Sequence, residues 1–188
     1  FPYTTLFRSG NPEDLMRLGQ TIVFDIYPQE AGGGYFYDFT RTWSLGYASP
    51  TAQKLYTQVY SAYQTVVERL KINASFHEYQ LLTCDIFEEL GHNTPRTNKS
   101  ALEGYIHSVG HGVGLNIHER PASGYSATNK DVLKAGVVIT IEPGLYYPDD
   151  GMGFRVEDTF CVNEDGKIEL LAEYPYDFVL PMKFWQAE

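Results

Sequence analysis

The sequence predicts an α+β fold, because strand-like and helix-like segments come in blocks and do not alternate. Two β-branched, aromatic runs lead, two helical runs follow, and several strand patterns close the chain. Turn signals rich in Gly, Pro, Asn and Asp separate most of these segments. Taken in order, Thr21–Tyr27 (TIVFDIY) reads as a strand, Pro28–Gly34 as a turn with three consecutive glycines, and Tyr35–Trp43 as the returning strand of a hairpin. Ser49-Pro50 is an N-cap with a first-turn proline. The helix behind it is expected to reach about Leu70, with Leu55, Val59, Tyr63, Val66 and Leu70 on its core face. Ser75 with Glu78 is a capping-box pattern that opens a second helix ending at Gly91. Residues 93–104 read as polar loop and Tyr105–His118 as glycine-punctuated strand or turn. Val137–Glu142 reads as a buried strand, Pro148–Gly151 as a turn and Phe154–Val162 as a further strand. Asn163–Gly166 then turns the chain into Lys167–Leu171.

The bulk numbers exclude several classes. A chain of 188 residues, 43% hydrophobic and 15% aromatic, can bury a core and is not disordered. No apolar run approaches the roughly 20 residues that span a bilayer, and no signal peptide or membrane partner is expected. The net charge of −10 repels phosphate backbones, so nucleic acid is not expected either. Cys84 and Cys161 are expected to be reduced core residues, which favours a cytoplasmic setting.

The first nine residues, Phe1–Ser9 (FPYTTLFRS), resemble the in-frame translation of a sequencing adapter. The expectation is a foreign segment over 1–9 and one domain over 10–188, incomplete at its N-terminus. An ordinary strand and loop is the other reading of those nine residues. Without its upstream part the chain is expected to be poorly soluble or inactive.

Two hairpins each bring two carboxylates into play. The midpoint of Asp25 and Asp38 falls between Ala31 and Gly32, so a symmetric turn there sets the aspartates face to face. The midpoint of Glu142 and Glu157 falls between Asp149 and Asp150, inside the second turn signal. Opposed like charges are destabilising, and four converging carboxylates need protons or cations. Two divalent ions would offset them, with neutral His111 as a fifth ligand. Singly, an aspartate at a strand end is more often solvated than ligating; the conjunction carries the weight. Pro143 and Gly144 are candidates for a bulge that breaks the second pairing. His107, His111 and His118 fall in one glycine-rich segment and are candidate ligands or acid–base groups, while His77 and His92 read as helix-surface residues. Arg155 shares a strand face with Glu157 and could orient a carboxylate.

The segments VFDIY, YDFTRTW, HSVGHGVGLNIHERP, ITIEPGLYY and FRVEDT, in this order, resemble the pita-bread metallopeptidases, and the TRT, HERP and EPGLY features resemble the Xaa-Pro aminopeptidase and prolidase branch. The resemblance implies a curved, mostly antiparallel sheet with helices on its outer face. It implies that Asp25, Asp38, His111, Glu142 and Glu157 bind two divalent metals, Mn or Co first and Zn or Fe next. It further implies a hydroxide between those metals that attacks an Xaa-Pro bond, Glu142 as proton shuttle, and His118 on the substrate carbonyl. His107 would be a further active-site histidine, and Arg155 would steady a ligand carboxylate. A peptide substrate and a homo-oligomeric full-length protein follow from the same likeness. A dipeptidase and a metal-free peptide-binding module are the alternatives. Two departures stand out: the first hairpin is about two residues longer than the family form, and no histidine precedes His77.

Overall fold

The computed structural model describes residues 15–126 and 128–183; the adapter-like segment lies outside them. Among the described residues, ten strands and two long helices form one core. Strands β1 (Thr21–Ile26) and β2 (Phe39–Leu45) pair antiparallel, and β10 (Val179–Leu180) joins β2 in parallel. A five-stranded sheet runs in the order β4 (Glu119–Ala122), β3 (His111–Gly112), β5 (Val138–Ile141), β8 (Asp158–Val162), β9 (Ile168–Leu170). The ribbon of β6 (Gly144–Tyr147) and β7 (Met152–Arg155) extends the β5–β8 hairpin.

Helix α1 (Pro50–Arg69) starts where the sequence says it should. The Ser49 hydroxyl accepts from the Ala52 N–H at 3.1 Å, and Pro50 occupies the first turn. Its inner face buries Leu55, Val59, Tyr63 and Val66, with Leu70 packed at the margin. Each such aliphatic side chain contributes about 1.5–3 kcal/mol by leaving water. Helix α2 (Phe76–Glu89) packs beside α1, and α1 lies across β5, β6 and β7, so both helices are on one side of the strands. The capping box does not form. Ser75 makes no side-chain cap; its backbone bridges Val132, and Phe76 N–H donates to Asp131. The Glu78 N–H that the hydroxyl would have capped donates to the Ser75 carbonyl instead, at 3.1 Å.

Several boundaries differ from the sequence pattern. β2 begins at Phe39, not Tyr35; before it the pairing thins to the isolated Gln29–Phe36 bridge, and Phe36 N–H donates to Gly114 at 2.8 Å. The run Phe154–Val162 is two strands, since Val156 and Glu157 leave the ribbon between them. His92 lies beyond α2, half-buried between Tyr147 (2.5 Å) and Gln58 (3.1 Å), so it is not a helix-surface residue. Cys84 is buried, Cys161 is half-buried, and both are free thiols. Among the described residues no helix is long and apolar enough to cross a membrane.

The three-stranded sheet meets the β7–β8 stretch along one seam. Thr40 and Glu157 exchange backbone hydrogen bonds. On either side the bonds pass through threonine hydroxyls. Thr42 bridges to the Arg155 backbone (2.8 and 2.9 Å), and Thr159 bridges to the Asp38 backbone (3.3 and 2.6 Å).

Candidate metal centre

The first hairpin turns one residue later than its midpoint suggests. The ladder pairs Asp25 with Thr40 and continues in register to the Gln29–Phe36 bridge, which sets Tyr27 opposite Asp38. The turn is centred on Gly32 and Gly33, both at positive φ, which only glycine adopts without strain. The aspartates are therefore diagonal, not face to face. A shift of two residues preserves the strand face, so both still point to the same side. In the second hairpin β5–β8 and β6–β7 share one register, and extending it places Glu142 opposite Glu157. No bulge offsets them, but the strands part there. Glu142 N–H donates to Val109 at 2.8 Å, while Glu157 bonds to Thr40.

These strands converge on one concave spot. Ligand-capable atoms of Asp25, Asp38 and Glu157 lie within 4.8 Å of one another, as do those of His111, Glu142 and Glu157, and those of Asp38, His111 and His118. Glu157 and Asp38 are 2% and 5% exposed; Asp25 and His118 sit at the rim. The two imidazoles of His111 and His118 meet edge to face at 4.3 Å. Gly110 has to be glycine, because a Cβ there would be 2.0 Å from the Thr140 carbonyl oxygen.

The protonation pattern is legible from the hydrogen bonds. His111 Nδ1 faces the Gly112 carbonyl at 3.0 Å, so it carries the proton and leaves Nε2 as a lone pair. That lone pair points at Asp38 Oδ2 (3.5 Å) and Glu142 Oε1 (3.4 Å). Burial drives His111 down to about 4, so it does not meet the carboxylates as an imidazolium at neutral pH. With both carboxylates ionised these are three acceptors, which only a proton or a cation can satisfy. Burial, then Glu157 and Asp25, push Asp38 up to about 9; burial, against the pull of Arg155, lifts Glu157 to about 7. Glu142 is raised too, by burial and then by Glu157.

The local cation is Arg155. Its Nη2 binds Asp25 at 2.6 Å, its Nη1 donates to the Tyr146 hydroxyl at 2.8 Å, and its Nε donates to the Thr40 hydroxyl at 3.1 Å. Thr40 in turn donates to Glu157 at 2.5 Å. His107 Nδ1 donates to the Ser108 carbonyl, so its Nε2 accepts from Tyr146 at 3.0 Å. A directed chain of donors thus runs from Arg155 through Tyr146 to His107. His107 is held near 3 by burial and by Arg155 and is neutral. A Cβ at Gly144 would lie 2.7 Å from the Tyr146 hydroxyl and 3.0 Å from His107 Nε2, which explains that glycine.

The structure therefore brings together all eight residues singled out in the sequence: Asp25, Asp38, His107, His111, His118, Glu142, Arg155 and Glu157. Sequence reasoning missed Thr40, Tyr146 and Thr140, the last of which accepts from His111 N–H at 3.1 Å. Thr40 lies two residues from Asp38 on the same strand face, but nothing in the pattern marks it as the partner of Glu157, 117 residues away. Four carboxylates against one guanidinium, with an imidazole lone pair among them, suit hard divalent cations bound by oxygen and one nitrogen.

This is the donor set of a candidate metal centre built on mostly antiparallel strands. The chain belongs to metallopeptidase family M24, whose profile matches residues 4–164. It is 39% identical to the Xaa-Pro dipeptidase of Pyrococcus furiosus over 132 residues, 70% of this chain and 34% of that protein. The solved Xaa-Pro dipeptidase of Bacillus anthracis superposes with a TM-score of 0.75 at 30% identity, over 93% of this chain and 46% of that one. The X-Pro aminopeptidase of Thermotoga maritima gives a TM-score of 0.75 at 28% identity, over 93% and 47%. The chain spans less than half the length of the curated relatives it matches.

Proposed function

We propose that this protein hydrolyses Xaa-Pro peptide bonds as an exopeptidase, with two divalent cations held by Asp25, Asp38, His111, Glu142 and Glu157. The observation that carries the reading is the lone pair of His111 Nε2 facing two buried carboxylates, an arrangement that a shared cation satisfies. Asp25, Asp38 and Glu157 would hold one ion and His111, Glu142 and Glu157 the other, with Glu157 common to both. Bound there, such ions lower the pKa of a water and polarise a carbonyl. Mn or Co heads the candidates, with Zn and Fe behind them.

The chain's own groups supply the rest. Glu142 reaches the same spot from the β5 end and would take the proton of the attacking water and pass it to the leaving nitrogen. His118, neutral because burial lowers it, has one N–H to give to the carbonyl oxygen as negative charge develops. His107, fixed by Tyr146, lines the side nearest Glu142, at 3.9 Å. Arg155 holds Asp25 in place. The free thiols support a reducing, cytoplasmic setting, and a homo-oligomer of the full-length protein completes the reading.

A dipeptidase is the second reading, favoured by the names of the Pyrococcus furiosus and Bacillus anthracis relatives. One experiment separates the cases: the purified protein with Mn²⁺ or Co²⁺, offered an Xaa-Pro dipeptide and a longer Xaa-Pro peptide. Cleavage of the longer peptide supports the aminopeptidase, and cleavage of the dipeptide alone supports the dipeptidase. Correctly folded protein that turns over neither with any divalent ion overturns both, and cation uptake without turnover marks a binding module.

A further inference from the structure

The residues between Tyr105 and Gly110 carry His107 and lead into His111, yet they belong to no strand. Their backbone polar groups are buried or half-buried and still need partners. Glu142 N–H supplies one, at the Val109 carbonyl. Most of the others are side chains. Val109 N–H donates to Gln80 Oε1 at 2.6 Å, and Gly110 N–H donates to Ser123 Oγ at 3.1 Å. The His107 carbonyl accepts from the Tyr125 hydroxyl at 2.6 Å and from Gln80 Nε2 at 3.5 Å. Ser123 Oγ also reaches Gln80 Oε1 at 3.3 Å and the Gly110 carbonyl at 2.7 Å.

Gln80 is the hub of this set. It is fully buried on α2, among Phe76, Tyr79, Thr83, Cys84 and Phe87. Nothing in the helix needs an amide there, and an apolar residue would pack without the cost of desolvating one. Apart from a contact with the Cys84 thiol one turn on, the polar contacts of the Gln80 side chain run outward. It meets Val109, the His107 carbonyl, Ser123 and the Tyr105 hydroxyl, at 2.9 Å from Nε2. Tyr105 in turn lies edge to face on the His107 ring, with centroids 5.5 Å apart. Val109 is two residues from each histidine, so its peptide plane sets the direction of both imidazoles.

We propose that Gln80, with Ser123 beside it, is a positioning residue for His107 and His111: two side chains take the place of a partner strand and aim both imidazoles at the cation site. The proposal rests on the reading of that site as the active centre. It is not needed for the helix, whose apolar face is complete without it.

The test compares wild type with Gln80→Met, which keeps length and packing but removes the amide, and with the milder Ser123→Ala. With cation bound, kcat should fall roughly ten- to hundredfold in Gln80→Met while KM for an Xaa-Pro substrate stays near wild type. Ser123→Ala should move the same way by less, and the double variant should be non-additive because the two side chains share contacts. Histidine ring signals in the cation-free protein provide a readout independent of turnover. Those of His107 and His111 should move in both variants, while His92 stays. Folded variants whose His107 and His111 signals match wild type overturn the proposal, as does a folded Gln80→Met with unchanged kcat. A wild type that neither binds Mn²⁺ nor cleaves would sink the active-site reading alone, and the histidine signals would still decide the positioning.

Discussion

Glu157 and Asp158 are adjacent in the chain and both buried, at 2% and 0% exposed, but they face opposite sides of the strand and different surroundings. Asp158 is fully provided for. Arg41 binds it at 2.8 Å, and the hydroxyls of Tyr63 and Tyr176 reach its other oxygen at 2.5 and 2.8 Å. Arg41 itself is spent on four carbonyl contacts and on the faces of Phe39 and Tyr176. Glu157 has one hydroxyl donor, and the nearest guanidinium nitrogen is 3.9 Å away. Three further carboxylates crowd the same side. Burial alone therefore does not separate a structural charge from a functional one. The count of partners does, and only the Glu157 side is left with charge that something outside the chain must balance.

That contrast can be broken most directly by Glu157→Gln. Activity should fall by about a thousandfold or more, about 4 kcal/mol of transition-state stabilisation, with cation uptake lost in a binding titration. The cation-free variant should melt no lower than wild type, since an uncompensated charge has gone. A lower melting temperature would place Glu157 with Asp158. Arg41→Met should do the reverse. It leaves Asp158 buried and unpaired, at a loss of about 3–5 kcal/mol in denaturant unfolding.

The pH dependence sharpens the same point. Above about pH 6.5, Glu157 up to about pH 7 and Asp38 up to about pH 9 hold protons in the folded, cation-free protein that the unfolded chain has already released. Their contribution to stability is present in acid and is lost as pH rises through about 7 and then about 9, at up to about 1.4 kcal/mol per pH unit for each group. His107 and His111 are neutral in both states over that window and add no slope. Thermal melts should therefore decline with rising pH without cation and flatten with it. Tyr146→Phe is a smaller perturbation. It strips a partner from Arg155 and from His107, for about 1–2 kcal/mol, or roughly a tenfold fall in kcat. Arg96→Ala sets the baseline, because its exposed bonds to Asp85 and Glu88 should contribute less than about 1 kcal/mol to stability.

Much of this was legible from residue spacing, because strand and helix periods are short-range. The core face of α1 and the opposition of Glu142 to Glu157 both follow from counting. The Asp25–Asp38 register was missed by two residues, since the exact seat of a turn among three glycines is chosen by backbone conformation that all three allow. Thr40, Tyr146 and Gln80 were not legible, because each acts through hydrogen bonds to residues far away in the chain. A threonine in a strand and a glutamine in a helix carry no periodic signal of such a role. The missing capping bond at Ser75 is the same lesson in reverse: a local pattern gave way to a tertiary partner at Val132.

The threonine seam has a mechanical consequence. Valine would fit the strands at 42 and 159 as well as threonine does, yet it would leave only the Thr40–Glu157 backbone pair to stitch the two sheets. The stitching runs directly under the carboxylates, with Asp25 and Asp38 on one leaf and Glu142 and Glu157 on the other. Loading the centre with ions should therefore draw the leaves together like a clasp. Amide protons of Thr40 and Glu157 should then exchange with solvent more slowly than in the empty protein, while those deep in α1 keep their pace.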